Sequence, residues 1–318
     1  MACESTTQLA TRRFWQNLKE GPPQKIASIA VIGAGTMGHG IAQVAAAAGY
    51  RVTLRDLDRD SLARGIRAIE RNLDKGMQLG KLSEEDREQT LQNIHGTINL
   101  DQVAEADLII EAAPEQLKLK QDLLREMESF GERDFIFASN TSSLSISDIA
   151  TASARPARVV GMHFFNPVHI MRLLEIVVGK ATSTETVETV CEVGRRLRKD
   201  PIIVNDVPGF ASSRLGVALG LEAMRLLEQG VASAKDIDKA MELGYNHPMG
   251  PLKLTDVVGL DVRLNIAEYL HRALGSETFR PPDVLRRLVS EGKLGKKSGE
   301  GFYSWREENG DALQAHSS

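Results

Sequence analysis

The stretch Ile29–Gly38 limits the folds open to this chain more than any other part of it. It reads Ile-Ala-Val-Ile-Gly-Ala-Gly-Thr-Met-Gly, which predicts a short buried strand, a glycine-rich turn and the start of a helix. Gly33, Gly35 and Gly38 have the spacing G-x-G-x-x-G. In that spacing the first glycine allows a tight turn, the second lets the backbone approach a pyrophosphate, and the third lets the helix pack closely on its strand.

The helix after this turn should run from Thr36 to about Ala48. Its free N–H groups and positive dipole end favour a bound diphosphate, so Thr36 and Met37 are expected to lie beside a dinucleotide. A second strand, Arg51–Leu54, should follow and lead to Asp56. An acid about 20 residues beyond the glycines can bind the hydroxyls of the adenosine ribose.

Asp56 favours NAD as the cofactor over NADP, because a carboxylate repels a 2′-phosphate. Arg55 and Arg59, which lie close to it in the sequence, weaken this inference slightly. The expected fold class is therefore α/β, a Rossmann-type doubly wound and mostly parallel sheet that binds NAD.

The composition is that of a soluble globular protein with about two domains. The chain has 318 residues and a formal net charge of −4, without the basic footprint of a nucleic-acid-binding protein. No apolar run is long enough to span a membrane, and no histidine pair has the spacing of a metal site. Cys3 and Cys191 cannot form a disulfide framework, which is typical of a reducing compartment.

Residues 1–25 are expected to be an N-terminal extension that precedes the fold. They contain no signal-peptide core, and Glu4 and Glu20 are unusual in a transit peptide, which is normally poor in acids. A cytoplasmic location is therefore expected, with the mitochondrial matrix as the alternative.

Helices and short strands alternate through residues 26–207, as a doubly wound sheet requires. An inserted helical pair at about 61–95 is longer than a simple crossover. Its first helix should run from Ser61 to about Gly80, and its second should be capped by Ser83 and end near His95. The later strands follow one another closely and predict an antiparallel edge. Strands are expected at Thr97–Leu100, Asp107–Ala113, Asp134–Ser139, Arg158–Phe165, Leu173–Gly179 and Pro201–Val204.

From residue 208 onward the pattern is helical, so the domain boundary is placed near residue 207. Helices are expected at Phe210–Gln229, after a cap at Ser233, at Thr255–Leu274 and at Pro282–Ser290. A small all-helical domain (208–318) buries its apolar faces poorly when alone. This predicts a homodimer formed through the C-terminal domain, which would also serve the substrate.

Two clusters of polar residues are suited to chemistry. Ser139–Ser143 follows an apolar strand at the carboxyl edge, where open α/β sheets bind ligands; its polar groups either bind a substrate oxygen or a nicotinamide ribose, or cap the next helix. The second cluster is His163, at the end of a strand, with Glu175 on the next strand. If these strands form a hairpin, the carboxylate can orient the imidazole and raise its basicity, as a base that deprotonates an alcohol requires. His169 is the alternative base.

A set of ordered motifs extends from Ile26 to Trp305. The motifs are Gly33–Gly38, Glu111–Glu115, Ser139–Ser143, His163–Pro167, Asp206–Phe210, His247–Pro251 and Gly295–Tyr303. Together they make the chain resemble the L-3-hydroxyacyl-CoA dehydrogenases, most closely the bacterial 3-hydroxybutyryl-CoA dehydrogenases.

The resemblance implies roles for the polar clusters. His163 would deprotonate the 3-hydroxyl group with Glu175 as its orienting partner, and Ser142 would bind the substrate oxygen. Glu115 and Lys120 would hold the ribose on the nicotinamide side.

Further contacts are implied for the substrate. Asn140 would meet the substrate or the nicotinamide end, and Asn166 the substrate. The helical pair would cover the CoA arm, where either Lys75 or Lys81 would meet a phosphate. In this family an asparagine usually precedes the arginine after Pro-Gly-Phe. This chain has Ser213 there, a shorter hydrogen-bonding residue that would alter the substrate fit or the preferred chain length.

The sequence therefore predicts reversible oxidation of an (S)-3-hydroxyacyl-CoA, such as 3-hydroxybutanoyl-CoA, to the 3-oxoacyl-CoA by NAD. One alternative is a dehydrogenase of a free 3-hydroxy acid, such as a sugar acid or carnitine, on the same fold; the helical pair favours CoA. The other is a nucleotide-binding protein without catalysis, against which the presence of both His163 and Glu175 argues.

Overall fold

A computed structural model describes residues 25–131 and 134–305 of the chain. The predicted N-terminal extension therefore lies outside the described residues, apart from Lys25. The chain divides into two compact units between Val207 and Pro208.

The first unit is built on a sheet of eight strands in the order β3-β2-β1-β4-β5-β6-β7-β8. Neighbouring strands are parallel except β6 and β7, which are antiparallel. The predicted doubly wound sheet with an antiparallel edge is thus confirmed. The strands are β1 Ser28–Ile32, β2 Arg51–Arg55, β3 Ile94–Thr97, β4 Leu108–Glu111, β5 Ile136–Ser139, β6 Val159–Phe164, β7 Leu173–Val178 and β8 Asp200–Asn205.

Helices connect most of these strands and cover the sheet. Because both faces are covered, central strands such as β4 and β5 are buried along their whole length. The helices are α1 Gly38–Ala47, α2 Arg59–Gln78, α3 Glu84–Gln92, α4 Leu117–Ser129, α5 Ile146–Ala150 and α6 Thr184–Arg196.

The inserted helical pair is α2 and α3. Asp58 caps α2 by accepting a 2.8 Å hydrogen bond from the Ser61 N–H, so this helix begins earlier than the predicted Ser61. Ser83 and Asp86 form the capping box of α3. The predicted end of α3 near His95 was wrong, as was the strand predicted at Thr97–Leu100. Residues 94–97 form β3 instead, because they pair in parallel with β2.

The second unit consists of helices around its own apolar core. One helix predicted there, Thr255–Leu274, was wrong as a single element. The predicted helix is interrupted at Gly259, because a φ of 105° is incompatible with a helix. A separate helix begins earlier, at Pro251. The helices are α7 Ser212–Glu228, α8 Ala234–Gly244, α9 Pro251–Val258, α10 Leu260–Leu274 and α11 Asp283–Ser290.

Candidate active site

The glycine turn between β1 and α1 is built for close backbone approach. Gly33 has a φ of 100°, and a Cβ there would lie 2.7 Å from the Ala112 carbonyl oxygen. A Cβ at Gly38 would lie 1.7 Å from the Gly33 carbonyl oxygen, so only glycine allows α1 to start here. A Cβ at Gly35 would meet no atom within 4 Å. The absent side chain of Gly35 therefore leaves open space above the turn.

This turn lines a cavity of about 290 Å³ together with Asp56. The Asp56 Oδ2 atom accepts a 2.7 Å hydrogen bond from the Ala34 N–H, which ties the carboxylate to the turn. Thr36 is exposed beside Gly35, and Met37 is half-buried against the core. An open glycine turn at a helix N-terminus with an acid beside it fits a dinucleotide with free ribose hydroxyls.

Arg64 is a residue of this cavity that the sequence reasoning missed. It lies one turn after Ser61 on α2 and donates a 2.7 Å hydrogen bond from Nη2 to the Ser61 Oγ atom. Arg55, in contrast, is buried and directs its Nε atom to the Ile98 carbonyl oxygen, and neither Arg55 nor Arg59 lines the cavity. In the sequence, Arg64 lies three residues after Ser61 and therefore on the same face of the helix. That spacing could have indicated Arg64 as a residue of this cavity.

Glu111 is the last residue of β4 and is buried at the carboxyl edge of the sheet. Its carboxylate accepts hydrogen bonds from the Lys120 Nζ atom at 2.7 and 2.9 Å, and from the Ser139 Oγ atom at 2.6 Å. The side chains of Glu111 and Lys120 are both fully buried. Lys120 is fully buried in this structure, and its expected contact with a ribose stays a prediction. The Lys120 Nζ atom lies 3.5 Å from the Glu115 Oε2 atom and supports that carboxylate.

Glu115 organises the polar cluster after β5. Its Oε1 atom accepts hydrogen bonds from the Thr141 hydroxyl (2.5 Å) and from the Ser142 and Ser143 N–H groups (3.0 and 3.1 Å). Burial raises the pKa of Glu115, but the Lys120 charge and these hydrogen bonds outweigh that effect and hold the pKa below its ordinary value. The cluster is therefore held by a carboxylate, whereas Ser145 caps the following helix α5.

His163 and Glu175 lie directly opposite each other on the antiparallel strands β6 and β7. The His163 Nδ1 atom is 2.8 Å from the Glu175 Oε2 atom. Glu175 is fully buried, His163 is 6% exposed, and the Phe165 ring packs against the imidazole with the ring centroids 4.5 Å apart. The hairpin on which this pairing depends is thus present. A buried carboxylate at Nδ1 selects the tautomer in which Nε2 is the nitrogen that accepts a proton.

Asn140 joins the two clusters. Its Oδ1 atom accepts a 2.9 Å hydrogen bond from the Phe164 N–H, which brings the loop after β5 beside the end of β6. Asn166 lies exposed in the loop after β6. His169, in the same loop, has no carboxylate partner among the described residues, and desolvation and nearby cations lower its pKa. The geometry therefore favours His163 over His169 as the base.

The other predicted substrate residues lie on other elements. Lys75 is exposed on α2, and Lys81 lines a second cavity of the first unit. Ser213 lies half-buried in the first turn of α7, in the second unit. Among the residues described, no helix is both long and apolar enough to traverse a bilayer.

Known protein families match both units of the chain. The model of the 3-hydroxyacyl-CoA dehydrogenase NAD-binding domain matches residues 28–207, and that of the 3-hydroxyacyl-CoA dehydrogenase C-terminal domain matches residues 209–305. Both matches agree with the resemblance found in the sequence.

Individual proteins are similar over most of the chain. A probable 3-hydroxybutyryl-CoA dehydrogenase of Deinococcus radiodurans is 46% identical over 275 residues, covering 86% of this chain and 99% of the relative. The mitochondrial hydroxyacyl-coenzyme A dehydrogenase of Sus scrofa is 43% identical over 285 residues, covering 87% of this chain and 91% of the relative. The crystal structure of (S)-3-hydroxybutyryl-CoA dehydrogenase PaaH1 from Ralstonia eutropha has a TM-score of 0.86 at 38% identity, covering 88% of this chain and 99% of that one.

Proposed function

Because this chain belongs to the 3-hydroxyacyl-CoA dehydrogenase family and has its NAD-binding domain, we propose that it oxidises (S)-3-hydroxyacyl-CoA to 3-oxoacyl-CoA reversibly. The observation that carries the proposal is the buried pair of His163 and Glu175, 2.8 Å apart. The names of similar dehydrogenases support a short acyl chain such as 3-hydroxybutanoyl-CoA.

The chain's own residues would bind the cofactor and take up the proton that the substrate releases. The turn Gly33–Gly38 would hold the diphosphate of NAD, and Asp56 would accept hydrogen bonds from the adenosine ribose. When bound, NAD would supply the hydride acceptor for the oxidation. Glu115 would orient the nicotinamide side through the polar cluster that it holds.

His163 would take the proton of the 3-hydroxyl group at Nε2. The Glu175 carboxylate at Nδ1 would stabilise the imidazolium that results. Ser142 would hydrogen-bond the substrate oxygen as it changes from hydroxyl to carbonyl. In the reverse direction the His163 imidazolium returns the proton to that oxygen.

We propose in addition that the helical unit serves the substrate and forms a homodimer. Its helices α7, α9 and α10 pack on one another, and each exposes large apolar side chains in the protomer. These side chains are Leu215, Leu254, Val257, Val258 and Val262. Burying such surface in a symmetric interface is the ordinary way to stabilise it. A cytoplasmic location, with the mitochondrial matrix as the alternative, stays a prediction from the sequence.

The test is reduction of acetoacetyl-CoA with NADH and NADPH in parallel. We expect rapid turnover with NADH, little with NADPH, and loss of turnover in His163→Gln without loss of NADH binding. A His163→Gln enzyme that keeps its kcat would contradict the assigned base. Tight NADH binding without turnover of acetoacetyl-CoA would favour a free 3-hydroxy acid as the substrate, and a panel of such acids would then identify it.

A further inference from the structure

Asp206 belongs to the motif Asp206–Phe210, which the proposed function leaves without a role. It directly follows β8 and is the last residue but one of the first unit. Its backbone N–H donates a 3.0 Å hydrogen bond to the Val178 carbonyl oxygen at the end of β7. This bond continues the pairing of β7 with β8, so the carboxylate of Asp206 extends from a backbone that the sheet holds in place.

The Asp206 carboxylate binds the start of α5. Its Oδ1 atom accepts a 3.0 Å hydrogen bond from the Ile146 N–H, and its Oδ2 atom accepts one of 2.7 Å from the Ser147 N–H. The Ser145 hydroxyl donates to Oδ2 at 2.8 Å and accepts a 3.1 Å hydrogen bond from the Asp148 N–H. The donors at the start of this helix therefore depend on one carboxylate, either directly or through Ser145.

The helix α5 needs these contacts because it is only five residues long. A helix of that length has too few internal hydrogen bonds to be stable by itself. Hydrogen bonds that a carboxylate accepts are about twice as strong as those between neutral groups. The Asp206 carboxylate therefore determines where the chain enters α5.

The chain enters α5 from the polar cluster that contains Ser142. Glu115 holds the first half of this segment through the Ser142 and Ser143 N–H groups. The Leu144 N–H donates a 2.9 Å hydrogen bond to the Thr141 hydroxyl oxygen, which joins the first half to the second. Residues 141–147 are thus held between two carboxylates that come from distant parts of the chain.

We propose that Asp206 is a positioning residue for Ser142. With Glu115 at one end of the segment and Asp206 at the other, the Ser142 hydroxyl is held in one place, and Asp206 acts through it without touching the substrate. The inference rests on the proposed function, in which Ser142 hydrogen-bonds the substrate oxygen. A reacting group that is misplaced by about 1 Å can lower a rate by roughly a hundredfold.

The other end of α5 provides a matched control. The Glu128 carboxylate accepts hydrogen bonds from the Ser153 hydroxyl and, at 2.9 Å, from the Ala154 N–H. Both of these residues follow α5, whereas Ser142 precedes it. Glu128 and Asp206 are both half-buried. Removing the Glu128 carboxylate therefore costs the same kinds of hydrogen bond without changing how the chain enters the helix.

The test measures the hydride-transfer step in single turnovers of acetoacetyl-CoA with saturating NADH. We expect Asp206→Ala to slow this step between about ten- and a hundredfold. Asp206→Asn should slow it less, because its amide oxygen still accepts part of the hydrogen bonds. It serves as the second variant if Asp206→Ala does not fold. Both should bind NADH with the wild-type stoichiometry and dissociation constant, whereas a merely structural defect would lower the number of NADH sites. Glu128→Ala should keep the wild-type rate.

A double variant tests whether Asp206 acts through Ser142. Ser142→Ala/Asp206→Ala should be no slower than Ser142→Ala, because the second change then removes an interaction that is already lost. Rates that multiply would overturn the proposal. A wild-type rate in Asp206→Ala, or an equal loss of rate in Glu128→Ala, would overturn it as well.

Hydrogen–deuterium exchange at the Ser142 and Ser143 amides needs no turnover. We expect faster exchange in Asp206→Ala than in the wild type or Glu128→Ala, although Glu115, which accepts from both amides, is unchanged. Equal exchange in all three proteins would mean that Asp206 does not position this segment. A wild type that does not turn over acetoacetyl-CoA would contradict the proposed function instead, and the exchange rates would still decide whether Asp206 positions Ser142.

Discussion

At the scale of single residues, the catalytic proposal depends on the charge of Glu175. Glu175→Gln keeps the size of the side chain, but its amide group can donate to Nδ1 of His163 and so favour the wrong tautomer. We expect kcat to fall by roughly 10²- to 10⁴-fold with little change in KM, as for the loss of an orienting acid. Steady-state kinetics with an NADH-binding control measure this. A kcat within a few-fold of the wild type would refute the assigned role.

Lys120 and Glu111 form an ion pair in which both side chains are fully buried. Lys120→Met leaves the Glu111 carboxylate buried without its cation. We expect a loss of about 3–5 kcal/mol in the free energy of unfolding, because an unpaired buried charge is costly. Denaturant unfolding measures it, and the double variant Glu111→Gln/Lys120→Met should recover part of the loss. Equal stability of Lys120→Met and the wild type would mean that the pair contributes nothing.

The charge of Glu115 leads to a prediction about how the stability of the protein depends on pH. Its pKa in the folded protein lies below the ordinary value, because Lys120 and the hydrogen bonds outweigh the effect of burial. A depressed folded-state pKa contributes stability above the unfolded-state pKa, and this stability is lost as the pH falls through the folded-state pKa. Glu115→Gln should therefore lower the melting temperature at pH 7, and the difference should disappear in strong acid. A difference that is the same at both pH values would count against a charged Glu115.

At the scale of the element, the turn between β1 and α1 allows a matched pair of substitutions. Gly35→Ala adds a Cβ that meets no protein atom within 4 Å, whereas Gly38→Ala places one 1.7 Å from the Gly33 carbonyl oxygen. We expect Gly35→Ala to keep the melting temperature and lose NADH affinity, because its methyl group fills the space of the diphosphate. Gly38→Ala should lose stability first. Melting curves and NADH fluorescence titrations distinguish the two, and full NADH affinity in Gly35→Ala would contradict this account.

Elements set by local interactions were the ones that the sequence predicted well. The cap at Ser83 and the glycine turn involve residues only a few positions apart, and the hairpin of His163 and Glu175 needs only a short connection. Strand β3 was misplaced because its bounds depend on pairing with β2, about 40 residues earlier in the chain. The break at Gly259 was missed because the apolar pattern continues through it.

In the candidate site too, the arrangements that depend on nearby parts of the chain were predictable, and those that depend on distant parts were not. His163 and Glu175 were predictable because each is a polar residue in an apolar strand, at a spacing that a hairpin brings together. The buried position of Lys120 was not, since it depends on Glu111 at the end of a different element. The second cavity of the first unit was also not predictable from the sequence, because the residues that line it come from distant parts of the chain.

At the scale of the whole molecule, each unit has its own apolar core, and the helical unit leaves large apolar side chains exposed on three helices that pack on one another. Leu215 on α7 is 71% exposed in the protomer, and Val257 on α9 is 45% exposed. Surface of this kind on neighbouring helices is typical of an interface. The proposed homodimer would bury it, and a charged residue there would oppose association without disturbing the core of the protomer.

We therefore expect the wild type to be a dimer and Leu215→Glu, like Val257→Glu, to be a monomer with unchanged helix content. Light scattering after size-exclusion chromatography measures the mass, and circular dichroism monitors the fold. Val231→Glu is the control, because Val231 is equally apolar and 62% exposed but lies in the loop between α7 and α8. It should remain a dimer. A buried glutamate without a partner would cost an interface several kcal/mol, or roughly a thousandfold in affinity. If both Leu215→Glu and Val257→Glu remained dimers, or if the wild type were a monomer, this face of the helical unit would not be the interface.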